Sequence, residues 1–419
     1  MRFLVPASTR SWVEVPVDSH FPIQNLPFGS IAREGAPRLV SRIGDLAVDL
    51  GLLAEAGLLP LWLSGAKDAS DLVRWEDPLA FRSVRATLAE LLESGNSRLR
   101  DDSALREQAL FAIDPAAVRL PMRPGAFVDF YSGVHHASNV GRMFRPDQPP
   151  LLPNYRHIPI GYNGRASTVV VSGTDIRRPH GQTKGANDES PSFGPTQEMD
   201  FELELGYFLA SGNPDGAPIP VDLAEDHMLG LTLVNDWSAR DVQRWEYVPL
   251  GPFLAKSFAT SVSPWIVTLD ALALFRIGGM PQDPEPLPYL QQSGRTQFEM
   301  VLEVSLQTAR MSQPQLIARS NMKYLYWSLA QQLAHQTSNG TRVEPGDLYA
   351  TGTISGETED SAGSMLELSW RGSRPLAMRE TGEMRTFLED GDVVTMSAYA
   401  DGEGYRVGFG ELRGKIVPA

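Results

Sequence analysis

Apolar and polar positions divide the chain into a first third with helical periodicity and a longer remainder of strand-like runs. Residues 29–50 have the pattern of short strands joined by a Gly-Asp turn. Helical spacing of apolar residues follows over 83–94 and over 104–113. Two prolines and a glycine near residue 121 then break the pattern, so we place a domain boundary there, between residues 1–121 and 122–419.

Short strand-like runs separated by glycine and proline turns fill the rest of the chain, at 167–172, 201–208, 229–234, 298–306 and 393–399. One helix is predicted among them, over 321–337, with Ser320 or Asn321 as its cap. Two polar or proline-rich stretches, 181–197 and 279–295, are expected to be surface loops. Many strands and few helices predict a mainly β protein with some α, whose larger domain is a β-rich roll, sandwich or barrel.

The composition narrows the class of protein. The 419 residues include 37 Lys+Arg and 51 Asp+Glu, for a net charge of −14, and no cysteine. A chain without cysteine has no disulfide, no thiol nucleophile and no zinc-thiolate site. An acidic chain lacks the basic surplus that nucleic-acid binding requires. The first apolar run is too short for a secretory signal, and no window approaches a membrane helix in length. We therefore expect a cytoplasmic protein that binds neither nucleic acid nor a membrane.

The run Glu-Met-Asp-Phe-Glu-Leu-Glu-Leu alternates acidic and apolar residues. On a strand its acids share one face: Glu198, Asp200, Glu202 and Glu204. Neighbouring acids on that face are about 7 Å apart, which lets one oxygen-seeking cation sit between two of them. A solvated strand face explains the alternation equally and is the commoner case. Asp236, where a buried run ends, is either a helix cap or a further carboxylate for the same ion.

Three further polar groups stand in apolar surroundings. Lys256 lies among small and apolar residues, so we expect its ammonium to be partly buried and to need a partner or a lowered pKa. His135 and His136 are adjacent, so at most one of them faces a site, where it would act as a general base; an ordinary hydrogen-bonded histidine is the simpler interpretation. Glu367 is predicted to lie in an apolar strand, where a buried carboxylate needs a partner such as a histidine.

Taken together, these segments resemble the fumarylacetoacetase family over nearly the whole chain. The matching stretches include Phe-Pro-Ile-Gln-Asn-Leu-Pro-Phe-Gly at 21–29, Asp-Phe-Tyr-Ser at 129–132, His-Ala-Ser-Asn-Val-Gly at 136–141, Met-Phe-Arg at 143–145, Gly-Tyr-Asn-Gly-Arg-Ala-Ser at 161–167, Asn-Asp-Trp-Ser-Ala-Arg-Asp at 235–241 and Gly-Ser-Met-Leu-Glu-Leu-Ser-Trp at 363–370. The resemblance implies a small SH3-like β-barrel as N-terminal domain, a large β-rich C-terminal domain and a homodimer.

The same resemblance assigns residues to a site. It implies a divalent cation, Mg²⁺ and/or Ca²⁺, held by Asp129, Glu202, Glu204 and Asp236 with Lys256 and Thr260 beside it, and it leaves Glu198 and Asp200 as solvated residues. The catalytic histidine is His136, oriented by Glu367. The groups that stabilise the oxyanion are Arg240, Gln243 and Lys256. The substrate contacts are Tyr131, Arg145, Tyr162, Gln243, Tyr247 and Thr353. Asn163 and Ala259 depart from the family pattern, which commonly has a histidine and a glycine there.

The implied activity is hydrolysis of a carbon–carbon bond in 4-fumarylacetoacetate, a dicarboxylate β-diketone, to fumarate and acetoacetate, the last step of tyrosine and phenylalanine degradation. One alternative is an acylpyruvate hydrolase, or a 2-oxo acid hydratase or decarboxylase, on the same scaffold; it would share the acids without needing the segment from His136 to Arg145. Another is a non-catalytic metal- or metabolite-binding protein, for which His136 and Glu367 would be dispensable.

Overall fold

The N-terminal part is built on one antiparallel sheet. The computed structural model describes residues 3–419. The first strands are β1 (Phe28–Arg33), β2 (Ala36–Ile43), β3 (Leu46–Asp49), β4 (Leu110–Ala112) and β5 (Val118–Arg119), and the first helices are α1 (Leu50–Glu55), α2 (Ala80–Leu92) and α3 (Ser103–Ala109). The strands pair in the order β4-β3-β2-β1-β5. Three of the five are joined by tight turns, as the short strand pattern at 29–50 predicts.

The C-terminal part contains most of the strands. They are β6 (Phe127–Phe130), β7 (Gly161–Asn163), β8 (Val169–Val171), β9 (Ile176–Arg177), β10 (His180–Thr183), β11 (Ser192–Pro195), β12 (Met199–Asp200), β13 (Leu203–Leu209), β14 (Met228–Asp236), β15 (Ser238–Ala239), β16 (Thr260–Val262), β17 (Arg276–Ile277), β18 (Gln297–Phe298), β19 (Val301–Gln307), β20 (Gln315–Asn321), β21 (Leu348–Ala350), β22 (Leu376–Ala377), β23 (Met384–Arg385), β24 (Val393–Gly402) and β25 (Tyr405–Val417). The helices are α4 (Val134–Phe144), α5 (Arg240–Glu246), α6 (Leu254–Ser257), α7 (Leu269–Leu272), α8 (Leu329–Thr337) and α9 (Met365–Leu368).

Two larger sheets organise this part. A mixed seven-stranded sheet runs β7-β6-β21-β13-β14-β16-β8, with β6 parallel to β21 and β8 parallel to β16. A five-stranded sheet runs β20-β19-β24-β25-β9. Leu233 of the first sheet and Leu302 of the second belong to one buried apolar cluster, so the two sheets share a core. The prediction of a mainly β protein with some α is confirmed.

The opposite face of the seven-stranded sheet is covered by the N-terminal part. Phe127, Val234 and Val262 lie in the same apolar cluster as the buried residues of the first sheet and its helices. Side chains alternate along a strand, so Asp129 and Asp236, each two residues further along, lie on that same face. The carboxylates therefore stand where the apolar contact between the two parts ends.

Some predicted elements are wrong. The single helix over 321–337 is three elements: β20 ends at Asn321, a 3₁₀ turn covers Met322–Tyr324, and α8 begins only after Ser328. Ser328 caps α8 and forms a capping box with Gln331. This Ser-x-x-Gln pattern marks the true start of the helix, which the spacing of apolar residues alone does not show. Most residues over 321–337 are buried, so apolar spacing alone does not distinguish a helix from a buried turn.

Smaller differences concern the ends of elements. The helix expected over 104–113 stops at Ala109, because residues 110–112 pair with β3 as β4. The loop expected over 181–197 contains the hairpin of β10 and β11.

None of the helices within residues 3–419 has both the length and the apolar character needed to span a bilayer.

Candidate functional site

Three strands of the seven-stranded sheet bring four acids to one point. Asp129 lies on β6, Glu204 on β13 and Asp236 at the end of β14, and Glu202 directly precedes β13. Each offers a carboxylate oxygen, and these oxygens all lie within 4.8 Å of one another. All four side chains are buried. The alternative of Asp236 as a helix cap is wrong, because α5 begins four residues later.

The donor set fits a hard divalent cation. Asp129 Oδ1 and Glu204 Oε1 are buried and have no hydrogen-bond partner among the described residues. The other Glu204 oxygen accepts a hydrogen bond from the backbone N–H of Gly352 at 3.2 Å. Unpartnered buried carboxylate oxygens are costly unless a cation or donor meets them, and carboxylates are the ligands that Mg²⁺ and Ca²⁺ take.

The pKa shifts identify where negative charge is in excess. Burial raises the pKa of Asp129 to about 7, and the Asp236 charge adds to the shift. Burial, reinforced by Asp129 and Asp236, also raises the pKa of Glu204 well above its usual value. Burial opposes ionisation of Glu202 as well, but the Lys256 ammonium outweighs it and the pKa falls. The two acids with raised pKa values are those with unpartnered oxygens, so a divalent cation would relieve both.

Two cations reach into the acid cluster from its edge. Lys256, on α6, is 2% exposed and donates to Glu202 and, at 2.8 Å, to Asp236. Arg165 donates to Asp236 and, at 2.7 Å, to Asp129. The burial predicted for Lys256 is present, and its partners raise rather than lower its pKa, although desolvation acts in the opposite direction. Sequence reasoning missed Arg165, although it stands inside the matched stretch at 161–167.

A histidine–glutamate pair faces the acids. His136 Nδ1 lies 2.6 Å from Glu367 Oε2, and His136 Nε2 lies 3.8 Å from Glu202 Oε1. Burial opposes ionisation of Glu367, but His136 and the hydrogen bonds from Asn139 and Ser364 outweigh it and lower its pKa. An ionised Glu367 accepts the Nδ1–H, which leaves Nε2 free to accept a proton.

The surroundings of His135 and Glu367 test two sequence expectations. His135 turns away from the pair and packs edge-on against Tyr324, with ring centroids 5.5 Å apart, so only one of the two histidines faces the site, as adjacency predicts. Glu367 is not in a strand: it lies in α9, whose N-terminus is capped by Ser364. The apolar neighbours that suggested a strand are buried because the short helix is enclosed by the core.

Arg240 is held by two hydrogen bonds and one ion pair. Its Nε donates to Asp200 Oδ2 at 2.7 Å, its Nη1 donates to Gln243 Oε1 at 3.0 Å, and its Nη2 lies 2.7 Å from Glu202 Oε1. The assignment of Asp200 to solvent is therefore wrong, because its side chain is fully buried against Arg240. Glu198 is half-buried and pairs with Arg244. Alternation on a strand could not separate these two acids, because their partners come from elsewhere in the chain.

A cleft of about 240 Å³ opens beside these groups. Its lining includes twelve of the predicted site residues: Asp129, Tyr131, His136, Arg145, Tyr162, Glu202, Glu204, Arg240, Gln243, Tyr247, Lys256 and Thr353. The other three, Asp236, Thr260 and Glu367, lie behind the lining. Glu367 bonds His136, and Thr260 donates to Asp236 at 2.9 Å.

Several lining groups have donors to spare. Arg145 Nε and Thr353 Oγ1 are buried and unpartnered among residues 3–419. Tyr131 packs edge-on against His136, with ring centroids 5.4 Å apart. Tyr162 instead donates to Asp129 Oδ2 at 2.8 Å.

Ala259, one of the two residues that depart from the family pattern, is buried in the apolar core.

Fold and site together define a β-rich protein in which four buried carboxylates that could hold a cation lie beside a histidine–glutamate pair, a combination of groups that metal-assisted hydrolases use. The model of the fumarylacetoacetate (FAA) hydrolase C-terminal family matches residues 126–417, and that of the fumarylacetoacetase N-terminal family matches residues 24–121. The chain therefore belongs to the fumarylacetoacetate hydrolase family.

Individual relatives agree with the family models over the full length. The fumarylacetoacetase of Oryza sativa subsp. japonica is 46% identical over 420 residues, which is 98% of this chain and 97% of that protein. The fumarylacetoacetase of Bos taurus is 47% identical over 416 residues, 98% and 99% of the two chains. The solved structure of a fumarylacetoacetate hydrolase from psychrophilic Exiguobacterium antarcticum has a TM-score of 0.52 at 17% identity, covering 94% of this chain and all of that one, and this likeness concerns the fold.

Proposed function

We propose that this chain hydrolyses the carbon–carbon bond of 4-fumarylacetoacetate to fumarate and acetoacetate, the final step of tyrosine and phenylalanine degradation. The supporting observation is the His136–Glu367 pair that lies beside four buried carboxylates at a small cleft. The full-length similarity to fumarylacetoacetases supports the same reaction.

In this proposal His136 activates the attacking water. Glu367 holds Nδ1, so Nε2 takes a proton from a water molecule whose oxygen attacks the carbonyl carbon beside the fumaryl double bond. The carbon–carbon bond then breaks, the former carbonyl becomes the second carboxylate of fumarate, and the electron pair leaves with acetoacetate as an enolate. A proton returned to that carbon completes the reaction, and in this proposal the Lys256 ammonium supplies it.

Hydrogen-bond donors stabilise the negative charge that develops during attack. Arg240, Gln243 and Lys256 meet at the wall of the cleft. All three are fixed before substrate arrives by the contacts described above, and preorganised donors of this kind contribute most where water is excluded.

The acids Asp129, Glu202, Glu204 and Asp236 would hold a divalent cation, with Lys256 and Thr260 as neighbours. When bound, such an ion supplies Lewis-acid stabilisation of charge on substrate oxygens. We propose Mg²⁺ and/or Ca²⁺, because both take oxygen ligands. The cation and the arginines also explain how a chain of charge −14 accepts a dianion.

The remaining lining residues would orient the substrate. The unpartnered Arg145 Nε and Thr353 Oγ1 are donors for a substrate carboxylate or carbonyl. Tyr131, Tyr162, Gln243 and Tyr247 complete the proposed contacts.

Four further features belong to the proposal. The chain divides into domains at residues 1–121 and 122–419, and the first domain is an SH3-like barrel, which its five-stranded antiparallel sheet supports. The protein acts as a homodimer and is cytoplasmic.

A substrate panel separates this function from its alternatives. Fumarylacetoacetate, an acylpyruvate and a 2-oxo acid are each added to the protein, and loss of diketone absorbance or release of product is followed. We expect fumarylacetoacetate to react with the highest kcat/KM. Preference for an acylpyruvate or a 2-oxo acid would favour the related enzymes, and no reaction with any of them would favour a binding protein.

A further inference from the structure

Asp200 is a fully buried carboxylate that joins two separate parts of the site. Its Oδ1 accepts from the backbone N–H groups of Phe201 at 2.8 Å and Met365 at 2.7 Å. Its Oδ2 accepts from Arg240 Nε at 2.7 Å and from the backbone N–H of Leu366 at 3.1 Å. Every partner donates, so both oxygens must be acceptors.

The contact with Arg240 fixes a guanidinium that also approaches an acid of the cation site. Arg240 is 2% exposed, and its other charged partner is Glu202 at 2.7 Å. With Asp200 present, two opposing carboxylates hold the guanidinium plane while Nη1 meets Gln243. Without it, the remaining attraction draws Arg240 towards Glu202 and away from the position beside Gln243.

The contacts with Met365 and Leu366 fix the first turn of α9. This helix has only four residues and carries Glu367. Helix N-termini leave backbone N–H groups without intrahelical partners, and Asp200 accepts two of those belonging to α9. The position of Glu367, and with it the 2.6 Å contact to His136, therefore depends on a carboxylate from a distant part of the chain.

We propose that Asp200 is a positioning residue that holds the oxyanion-stabilising Arg240 and the His136–Glu367 base in one fixed arrangement. The proposal rests on the proposed function for the roles of those groups. Asp200 does not line the cleft, so it acts through them.

Asp200→Asn is the direct test, because it keeps the size of the side chain and places an NH₂ group against N–H donors. We expect kcat to fall about 100-fold, the effect of displacing catalytic groups by about 1 Å. We expect the inhibition constant of fumarate to stay within about twofold, because Asp200 lies outside the lining that would bind it.

Asp392→Asn is the matched control. Asp392 is also fully buried, and it accepts from Arg385 Nε at 2.9 Å and from the backbone N–H of Glu389 at 2.9 Å, outside the cleft. Loss of this buried pair should lower the melting temperature and leave kcat unchanged. If Asp200→Asn does not fold, Asp200→Glu keeps the charge and displaces it by one methylene, and the same loss of kcat is expected.

A spectroscopic readout tests the positioning without turnover. The His136 Nδ1 proton, hydrogen-bonded to Glu367, is expected to give a far-downfield proton NMR resonance in histidine-labelled protein. We expect this resonance to shift or broaden in Asp200→Asn and to stay in place in Asp392→Asn. An unchanged resonance, or a kcat within about twofold of the native value, overturns the proposal. If the native protein does not hydrolyse fumarylacetoacetate, the proposed function is wrong, and the resonance alone decides the role of Asp200.

Discussion

His136 is held by Glu367 through its Nδ1 atom, and its Nε2 atom remains available for proton transfer in the proposed reaction. Glu367 is itself fixed by Asn139 at 2.9 Å and by the hydroxyls of Ser355 and Ser364 at 2.9 and 2.8 Å. At the scale of single residues, the proposed base is therefore oriented by a carboxylate that is itself held by three hydrogen bonds. Second partners of this kind fix both the tautomer and the ring plane.

Replacing the base should stop turnover without preventing binding. In His136→Gln we expect kcat to fall about 10²–10⁴-fold, the usual contribution of a general base, while the inhibition constant of fumarate changes little. The control is His135→Gln, because that half-buried ring turns away from Glu367. Steady-state kinetics measure both variants, and normal turnover in His136→Gln would contradict the assigned role.

The cation site makes its own prediction at this scale. Glu204→Gln replaces one of the four proposed ligand carboxylates by an amide, so we expect affinity for Mg²⁺ or Ca²⁺ to fall at least about tenfold by isothermal titration calorimetry. Glu198→Gln, from the same acidic run but paired with Arg244, should bind like the native protein. Equal affinities in the two variants would place the ion elsewhere.

The environment of a single residue was predictable where its sequence neighbours determine it. It was not predictable where partners from distant parts of the chain determine it. The burial of Lys256 follows from its apolar neighbours, and the divergence of His135 and His136 follows from adjacency. Arg165 and Asp200 acquire their roles from segments far along the chain. No local pattern distinguishes them from solvated charges.

At the scale of elements, the turn after β21 connects the acid cluster to the cleft. Gly352 has φ +78°, and a Cβ there would lie 2.1 Å from the carbonyl oxygen of Phe130. The glycine lets the turn pass against β6, so that its N–H reaches Glu204 and Thr353 reaches the cleft. A left-handed conformation and close packing together require glycine here.

Gly352→Ala should therefore be more harmful than an ordinary substitution at positive φ. Gly57, with φ +73° and no atom within 4 Å of a built Cβ, is the control, and Gly57→Ala should cost roughly 1–2 kcal/mol in free energy of unfolding. We expect Gly352→Ala to lose more stability than Gly57→Ala in urea denaturation, and also to lose activity. Equal losses would show that the turn can move aside.

Elements were predicted well where the sequence shows either one apolar face, as in the amphipathic α2, or a short run of strand-forming residues, as in the fully buried β13 and β14. The amphipathic helix predicted at 83–94 corresponds to α2, and the runs at 201–208 and 229–234 lie largely within β13 and β14. The predictions for 321–337 and for the strand around Glu367 failed because most residues there are buried, and apolar spacing alone does not then distinguish a helix from a strand or a turn.

At the scale of the whole molecule, the N-terminal segment is tied to the long C-terminal strand. The backbone N–H of Gly410 donates to His20 Nδ1 at 3.1 Å, and the His20 carbonyl oxygen accepts from Gly408 at 3.0 Å. The ring must be unprotonated at Nδ1 to accept. Burial, with the charges of Arg406 and Arg42, lowers the pKa of His20 from 6.5 to about 4.

This shift makes stability depend on pH. Between pH 6.5 and about 4 the unfolded chain binds a proton at His20 that the folded protein does not, so the free energy of unfolding falls as the pH drops through that window. His20→Gln should lose less stability than the native protein between pH 7 and pH 5 in urea titrations. An identical loss in the two proteins would show that His20 is not a source of the dependence.

The overall class of the protein was predictable, while the arrangement of its parts was not. Composition and strand-rich patterning indicate a mainly β chain without thiol chemistry. The N-terminal part covers the sheet face that carries the acids. This arrangement depends on contacts of Phe127 and Val234 with residues of the N-terminal part, which lie far away in the sequence. Local patterns contain no information about such pairings.

The central claim is tested most directly by adding fumarylacetoacetate to the protein with and without a metal chelator and identifying the products. We predict loss of the diketone absorbance and formation of fumarate and acetoacetate in equal amounts, suppressed by the chelator and restored by Mg²⁺ or Ca²⁺. Substrate that persists unchanged, products other than these two, or a rate that the chelator does not affect would contradict the account.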